Sequence, residues 1–148
     1  MSQSITLILT SNVQFSDIET SLKGKFDASI ATDAMGKAIV MVAERDRFGV
    51  AVSYVKVSEA PREFALEDYQ TNEFINPAFV ADLNGNVFYD MTFNDRRLFD
   101  AVLEQLLLHS GTNLKRTWID NDYGVVLPAA VVFDPGDGNW KTQRLNRR

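Results

Sequence analysis

The amino-acid sequence predicts an α+β fold in a single domain, with a mainly antiparallel sheet of about six to eight strands and two or three helices packed on one face. The first observation is the dipeptide Asn84-Gly85 between two apolar runs, which is typical of a β-hairpin because a type I′ turn needs positive φ at both central residues. The second is a helix pattern over residues 94–111. The third is the alternation of apolar and polar residues in 4–10 and 49–57, the period of a strand with one buried face.

The first elements along the chain are a strand and a helix. Residues 4–10 are predicted as the strand, and Ser16 is predicted to begin the helix through a capping box with Glu19. Residues 27–36 are predicted as a loop because they contain turn-forming residues. The apolar stripe of the helix has the spacing i, i+4, i+8 and consists of Ile18, Leu22 and Phe26.

Two further apolar runs predict a second hairpin. Residues 37–43 are almost continuously apolar, which suits a central strand buried on both faces. Residues 49–57 alternate, and the charged residues 44–47 between the two runs are expected to form the turn. A helix is predicted over 61–74, because Pro61 suits the first turn of a helix.

The hairpin predicted over 77–93 is followed by the strongest helix pattern. Asn94 is predicted to cap this helix, His109 lies in its last turn, and Gly111 is expected just beyond its end. The broad apolar stripe has helical spacing and consists of Leu98, Phe99, Val102, Leu103, Leu106 and Leu107.

The remaining residues are predicted to form strands, over 114–120, 124–133 and 140–145. Pro128 implies an edge, a bulge or a break in the second of these, because proline has no N–H for a ladder. We expect residues 1–140 to form the domain and residues 141–148 to form a basic tail, either as the last strand or as a disordered end.

Composition excludes several kinds of chemistry. The chain has no cysteine, which excludes disulfides, thiolate zinc sites, iron–sulfur clusters and cysteine nucleophiles. Residues 1–15 carry no positive charge and make a poor signal peptide. The longest uncharged apolar segment, 125–133, is far shorter than the about 20 residues that a membrane helix needs. We therefore expect a cytoplasmic protein.

The net charge of the chain is −5, and its last eight residues contain basic but no acidic side chains. The rest of the chain is therefore more acidic than the total suggests, and an acidic surface repels nucleic-acid phosphate. We expect the partner to be another protein, for which a basic one would suit the charge, and neither nucleic acid nor a membrane. A homodimer through an open sheet edge is a further option.

No motif in the chain predicts a catalytic residue, a cofactor or a metal site. His109 is the only histidine and lies on an apolar helix, with no nucleophile-elbow sequence to accompany it. The turns at 82–86, 120–124 and 134–139 are rich in Asp and Asn, but none has the bidentate Glu of an EF-hand loop. Such residues favour turns by themselves. Phosphate-binding glycine motifs do not occur.

We therefore expect a non-catalytic protein-interaction module: an acidic adaptor, a chaperone, or an inhibitor of the immunity type. The alternative is a small carboxylate-using enzyme or a small-molecule-binding domain with a cleft on the sheet. The sequence therefore does not decide whether the protein is an enzyme. A polar pocket holding a carboxylate of raised pKa would favour the alternative. For Trp118 and Trp140, packing in the core is the simpler interpretation. The candidate contact residues are the carboxylates of 61–74 and the aromatic side chains most expected at the surface: Glu63, Glu67, Asp68, Glu73, Phe48, Trp118 and Trp140.

Overall fold

In the described part of the chain, seven antiparallel strands form one open sheet. The computed structural model describes residues 3–60, 77–82, 85–121 and 126–133. The strands are β1 (Gln3–Thr10), β2 (Ala28–Thr32), β3 (Ala38–Arg45), β4 (Ala51–Glu59), β5 (Asn86–Phe93), β6 (Trp118–Asp120) and β7 (Val126–Pro128). The helices are α1 (Phe15–Lys23), α2 (Pro77–Asp82) and α3 (Arg96–His109), with 3-10 turns at Leu114–Arg116 and Ala129–Phe133. The strand order is β2-β3-β4-β5-β1-β6-β7, so the predicted α+β fold is confirmed.

Helices α1 and α3 cover one face of the sheet and bury the main core against it. Leu7 of β1 lies opposite Tyr89 of β5, and both side chains are buried on this face. The ring of Phe99 in α3 stacks on Phe93 at a centroid distance of 4.0 Å. All six residues of the apolar stripe predicted for this helix are buried. None of the described helices is long and apolar enough to span a membrane.

The opposite face of the sheet holds a second, smaller apolar cluster beneath α2. Its buried residues are Ile8, Phe79, Phe88 and Trp118. The rings of Phe79 and Trp118 are 5.4 Å apart between centroids, and Trp118 Nε1 donates a hydrogen bond of 3.2 Å to Asp82. Trp118 is therefore a core residue, as the simpler interpretation of the sequence has it, and its buried ring is not available to a partner.

The hairpin predicted around Asn84-Gly85 is wrong, because Pro77–Asp82 is a helix rather than a strand. Strand β5 pairs with β1 on one side and with β4 on the other, so neither of its edges is left for a strand formed by these residues. Proline favours the first position of a helix because its φ is already helical and its missing N–H would have no partner there.

Two predicted helix caps are also wrong by one or two residues. Helix α1 follows Gln14, whose backbone N–H donates to Asp17 at 2.8 Å, instead of beginning with a Ser16–Glu19 box. Helix α3 is capped by Asp95, whose side chain accepts hydrogen bonds from the backbone of its first turn. Asn94 is used elsewhere, because its side-chain oxygen accepts a hydrogen bond of 2.9 Å from the backbone N–H of Tyr54.

The loop predicted over 27–36 contains strand β2, which forms a hairpin with β3. Asp33 builds the turn of this hairpin, because its carboxylate accepts hydrogen bonds from the backbone N–H groups of Met35 and Lys37 at 2.9 and 2.8 Å. Strand β3 is buried mainly on the helix face, so the prediction of two buried faces is wrong. The hairpin of β3 and β4 is confirmed.

The strands predicted in the last third of the chain are shorter than expected. Leu114–Arg116 is a 3-10 turn, so only Trp118–Asp120 of the first prediction forms a strand. Val126–Pro128 is the strand of the second, and it forms one edge of the sheet, as Pro128 indicated. The predicted helix 61–74, with Glu63, Glu67, Asp68 and Glu73, lies outside the described residues, as do Trp140 and the strand predicted over 140–145.

Substitution of the buried leucines of α3 is expected to destabilise the protein. Leu103→Ala and Leu106→Ala should each lower the free energy of unfolding by roughly 2–5 kcal/mol, because both side chains are fully buried. Leu108→Ala is the matched control on the same helix, since Leu108 is exposed, and it should cost no more than about 0.5 kcal/mol. Urea unfolding of the three variants tests this, and equal losses at all three positions would contradict it.

Candidate functional site

The turn between β3 and β4 presents a group of exposed apolar side chains. Phe48 is 76% exposed, more than any other large aromatic side chain among the described residues, and Val50 and Val52 are more than half exposed. Single exposed apolar residues are common on protein surfaces, but a local group of them marks a candidate contact surface. We call Arg47, Phe48, Val50 and Val52 the hairpin surface.

The backbone of this turn is held in place by Asp46. Its carboxylate accepts hydrogen bonds from the backbone N–H groups of Phe48 and Val50 at 2.9 and 3.0 Å. Gly49 adopts φ of 80°, which an L-residue reaches only with strain. The guanidinium of Arg45 donates a further hydrogen bond of 3.0 Å to the Gly49 carbonyl. The exposed ring therefore projects from an ordered turn, which lowers the entropy cost of binding.

A cation lies beside the exposed ring. The guanidinium carbon of Arg47 is 4.8 Å from the centroid of Phe48, a distance at which the positive charge is attracted to the ring face. Arginine and aromatic residues are enriched at protein interfaces, and they carry much of the binding energy there. Arg47 and Phe48 are therefore of the residue types that are enriched in protein contacts.

A row of polar side chains crosses the sheet on the face opposite α1 and α3. Asp90 of β5 lies between Ser58 of β4 and Thr6 of β1, and Thr6 in turn lies opposite Asp120 of β6. Thr6 Oγ1 donates a hydrogen bond of 3.3 Å to Asp90. Burial raises the pKa of Asp90, and Asp120 raises it further, while the Thr6 hydrogen bond and Lys37 lower it.

A cavity of about 320 Å³ lies where α1 begins beside the ends of β4 and β5. Its lining is mainly apolar and aromatic, with Phe15, Val87 and Tyr89 contributing together with the carboxylate of Glu59. Burial, with a smaller contribution from the negative charge of Glu59, raises the pKa of Tyr89 to about 12. The Tyr89 phenol therefore stays protonated at neutral pH and can donate a hydrogen bond.

The carboxylate of raised pKa and the Tyr89 side chain that lines the cavity point to opposite faces of the sheet. Asp90 and Tyr89 are neighbours in one strand, and successive side chains of a strand point to opposite faces. Asp90 does not line the cavity. The combination that would favour the enzyme alternative, a polar pocket around a carboxylate of raised pKa, is therefore not formed by these described residues.

The structure separates the residues that the sequence singled out. Phe48 is at the surface, Trp118 is buried, and His109 is exposed at the end of α3. Asp82 belongs to the first of the three turns rich in Asp and Asn, and its carboxylate accepts hydrogen bonds from the side chains of Trp118 and Arg116. No group of three or more potential metal ligands occurs among the described residues.

Val50 and Val52 are surface residues that the sequence pattern did not single out. The alternation of apolar and polar residues in 49–57 shows that these two side chains share a face, but it does not show which face is covered. The signal in the sequence for their exposure was their position beside the charged turn. The end of a strand next to charged residues is expected to lie beyond the helices that cover the sheet.

Asp90→Asn and Asp95→Asn are expected to change stability with opposite pH dependence. Because the folded pKa of Asp90 is raised, its ionisation destabilises the wild type, so Asp90→Asn should gain relative stability as the pH rises from about 3 to 7. Hydrogen bonds to the carboxylate of Asp95 lower its pKa, and the one from Ser53 contributes most. Asp95→Asn should therefore lose relative stability over the same pH range. Urea unfolding at both pH values tests the signs, and a shared sign would contradict the assignment.

Comparisons of the chain with protein-family models, with curated proteins and with solved structures give no match.

Proposed function

We propose that the protein is a non-catalytic protein-interaction module whose partner binds the hairpin surface. The observation that carries the proposal is the exposure of three apolar side chains, Phe48, Val50 and Val52, at one end of the sheet. Burying an exposed aromatic ring in a partner removes apolar area from water, and this is a main source of affinity in protein complexes.

The geometry of the turn supports a pocket on the partner as the receiving surface. Phe48 is at the tip of the turn, and its ring is flanked by Arg47. A partner pocket that is apolar inside and carries a carboxylate at its rim would match both side chains. The carboxylates within residues 61–74 are proposed as further contacts, for a basic region of the partner.

The second candidate function is binding of a small, largely apolar molecule in the cavity beside Tyr89. Its volume of about 320 Å³ is at the lower end of the range of ligand pockets. The side chains of Phe15 and Val87 would contact such a molecule, and the protonated phenol of Tyr89 would offer one hydrogen bond.

Replacement of Phe48 is expected to weaken binding of the natural partner. The wild type, Phe48→Ser and Met35→Ser are immobilised and exposed to extract of the native cell, and the retained proteins are compared by mass spectrometry. Met35 is the matched control, because it is 90% exposed but lies in the turn between β2 and β3. A partner retained by the wild type and by Met35→Ser should bind Phe48→Ser at least about tenfold more weakly, the loss typical of a buried aromatic anchor.

The exposed position of Phe48 makes this test independent of folding, since surface substitutions change the free energy of unfolding by no more than about 0.5 kcal/mol. Retention of the same proteins by all three samples would contradict the proposal. A cavity-filling variant, Val87→Trp, separates the two functions, because it should leave the partner of the hairpin surface bound.

A further inference from the structure

Strand β2 forms an outer edge of the sheet. It pairs with β3 on one side, and no strand lies beyond it in the part of the chain that the structure describes. Four of its five residues are exposed, among them Ile30 at 41%. Natural edge strands are usually blunted by charges, proline or bulges, because their unpaired backbone groups can bind another strand. The segment Ala28–Thr32 contains no charge and no proline.

The hydrogen bonds that flank β2 show which backbone groups face outward. The N–H of Ala43 donates to the Asp27 carbonyl at 3.0 Å, and the N–H of Asp33 donates to the Lys37 carbonyl at 2.9 Å. Along an antiparallel strand, the backbone N–H and C=O groups of successive residues point alternately toward the partner strand and away from it. Because Asp27 and Asp33 face β3, the outward groups are those of the residues at even positions between them: Ala28, Ile30 and Thr32.

The charges at the two ends of β2 disfavour pairing with a second copy of the chain. The symmetric pairing that uses all three outward residues is centred on Ile30. It would place Asp27 opposite Asp33 of the second copy at both ends of the new ladder. Like charges directly opposite each other in a sheet are destabilising. The Asp33 carboxylate is held by the backbone of its turn, and the exposed Asp27 carboxylate is paired with Arg45. Both keep their negative charge, so they would instead attract a strand that is basic at the matching positions, with Arg45 as the competing cation at Asp27.

We infer that the β2 edge binds an extended segment of another protein that carries a basic residue at each end, with these residues facing Asp27 and Asp33. The two aspartates are six residues apart, so the basic residues of the segment have the same spacing. Asp27 and Asp33 flank β2, and continuing the alternation of the strand places both on the face opposite α1 and α3. Ile30 lies on the helix face opposite Val40, so the middle of the segment should carry an apolar side chain. Addition of such a strand gives affinity through the backbone and specificity through alternate side chains.

This inference concerns a surface separate from the hairpin surface and does not rest on it. The probe is a blocked peptide, Lys-Thr-Thr-Val-Thr-Thr-Lys, whose symmetry makes its direction irrelevant to the charges. The control peptide has Glu at both ends. In a ¹⁵N-labelled protein, the Lys peptide should shift the amide signals of Ala28, Ile30 and Thr32 most and slow their exchange with solvent. The Glu peptide should bind at least about tenfold more weakly.

The Ile30→Pro variant tests the backbone contact. Its outward N–H is lost, while the ladder to β3 is kept because that N–H faces away from β3. Ile30→Pro should abolish binding of the Lys peptide, whereas Ile30→Ala should keep it within a few fold. Phe48→Ser should bind the peptide as the wild type does, which separates this inference from the proposed function.

The Asp27→Lys variant tests the charges without touching the backbone of β2. Its ion pair with Arg45 is exposed, with 3.4 Å between Arg45 Nε and the carboxylate, so little stability is lost. The variant should bind the Lys peptide more weakly. It should also form dimers in sedimentation experiments, because the introduced lysine would lie opposite Asp33 of the second copy, and adding Ile30→Pro should abolish these dimers. Equal affinity for both peptides, no binding of either, signal changes away from β2, or dimers of the wild type would each overturn the inference.

Discussion

The pairing of β1 with β5 is the constraint on which the rest of the structure depends. Eight residue pairs join the start of the chain to a strand that follows 76 to 90 residues later, from Gln3 with Phe93 to Thr10 with Asn86. Their register places Leu7 and Tyr89 on the helix face, and Ile8 and Phe88 on the other. A slip of one residue would move every one of these side chains to the wrong face, so the two apolar clusters specify one register.

The two faces of the sheet differ in whether they hold polar side chains. The helix face is covered by α1 and α3 and is apolar across β1, β4 and β5. The other face combines the apolar cluster beneath α2 with the polar row around Asp90. A carboxylate in the middle of a sheet is acceptable there because a threonine hydrogen bond and the charge of Lys37 offset part of the cost of its burial.

The parts of the fold that were predictable are those fixed by local periodicity. The stripe of α3 and the hairpin of β3 and β4 needed no tertiary information. The conformation of the residues before Asn84-Gly85 was not predictable in this way, because an apolar run fits a short helix as well as a strand until β1 and β4 occupy both edges of β5. Asn94 and Asp95 are both good caps, and the choice between them depends on the hydrogen bond of Asn94 to distant β4.

The candidate surfaces were predictable only in part, for the same reason. Phe48 stood out because an aromatic residue in a charged turn has nowhere to be buried. Strand β2 was missed because the turn-forming residues Asp33 and Gly36 favour a loop, and the five residues of the strand are too few to show a clear period. The period of a sequence reports the burial of side chains, whereas strand addition at this edge would depend on backbone N–H and C=O groups, which every residue type except proline carries.

The short strand β7, the last strand along the described part of the chain, limits the growth of an assembly through its edge of the sheet. It has three residues and ends at Pro128, which removes a backbone donor from that edge. Head-to-tail stacking of sheets into open fibres requires two receptive edges on each molecule. Within the described sheet only the β2 edge is suited to receiving a strand, so strand addition at the described edges would take up one partner strand per molecule.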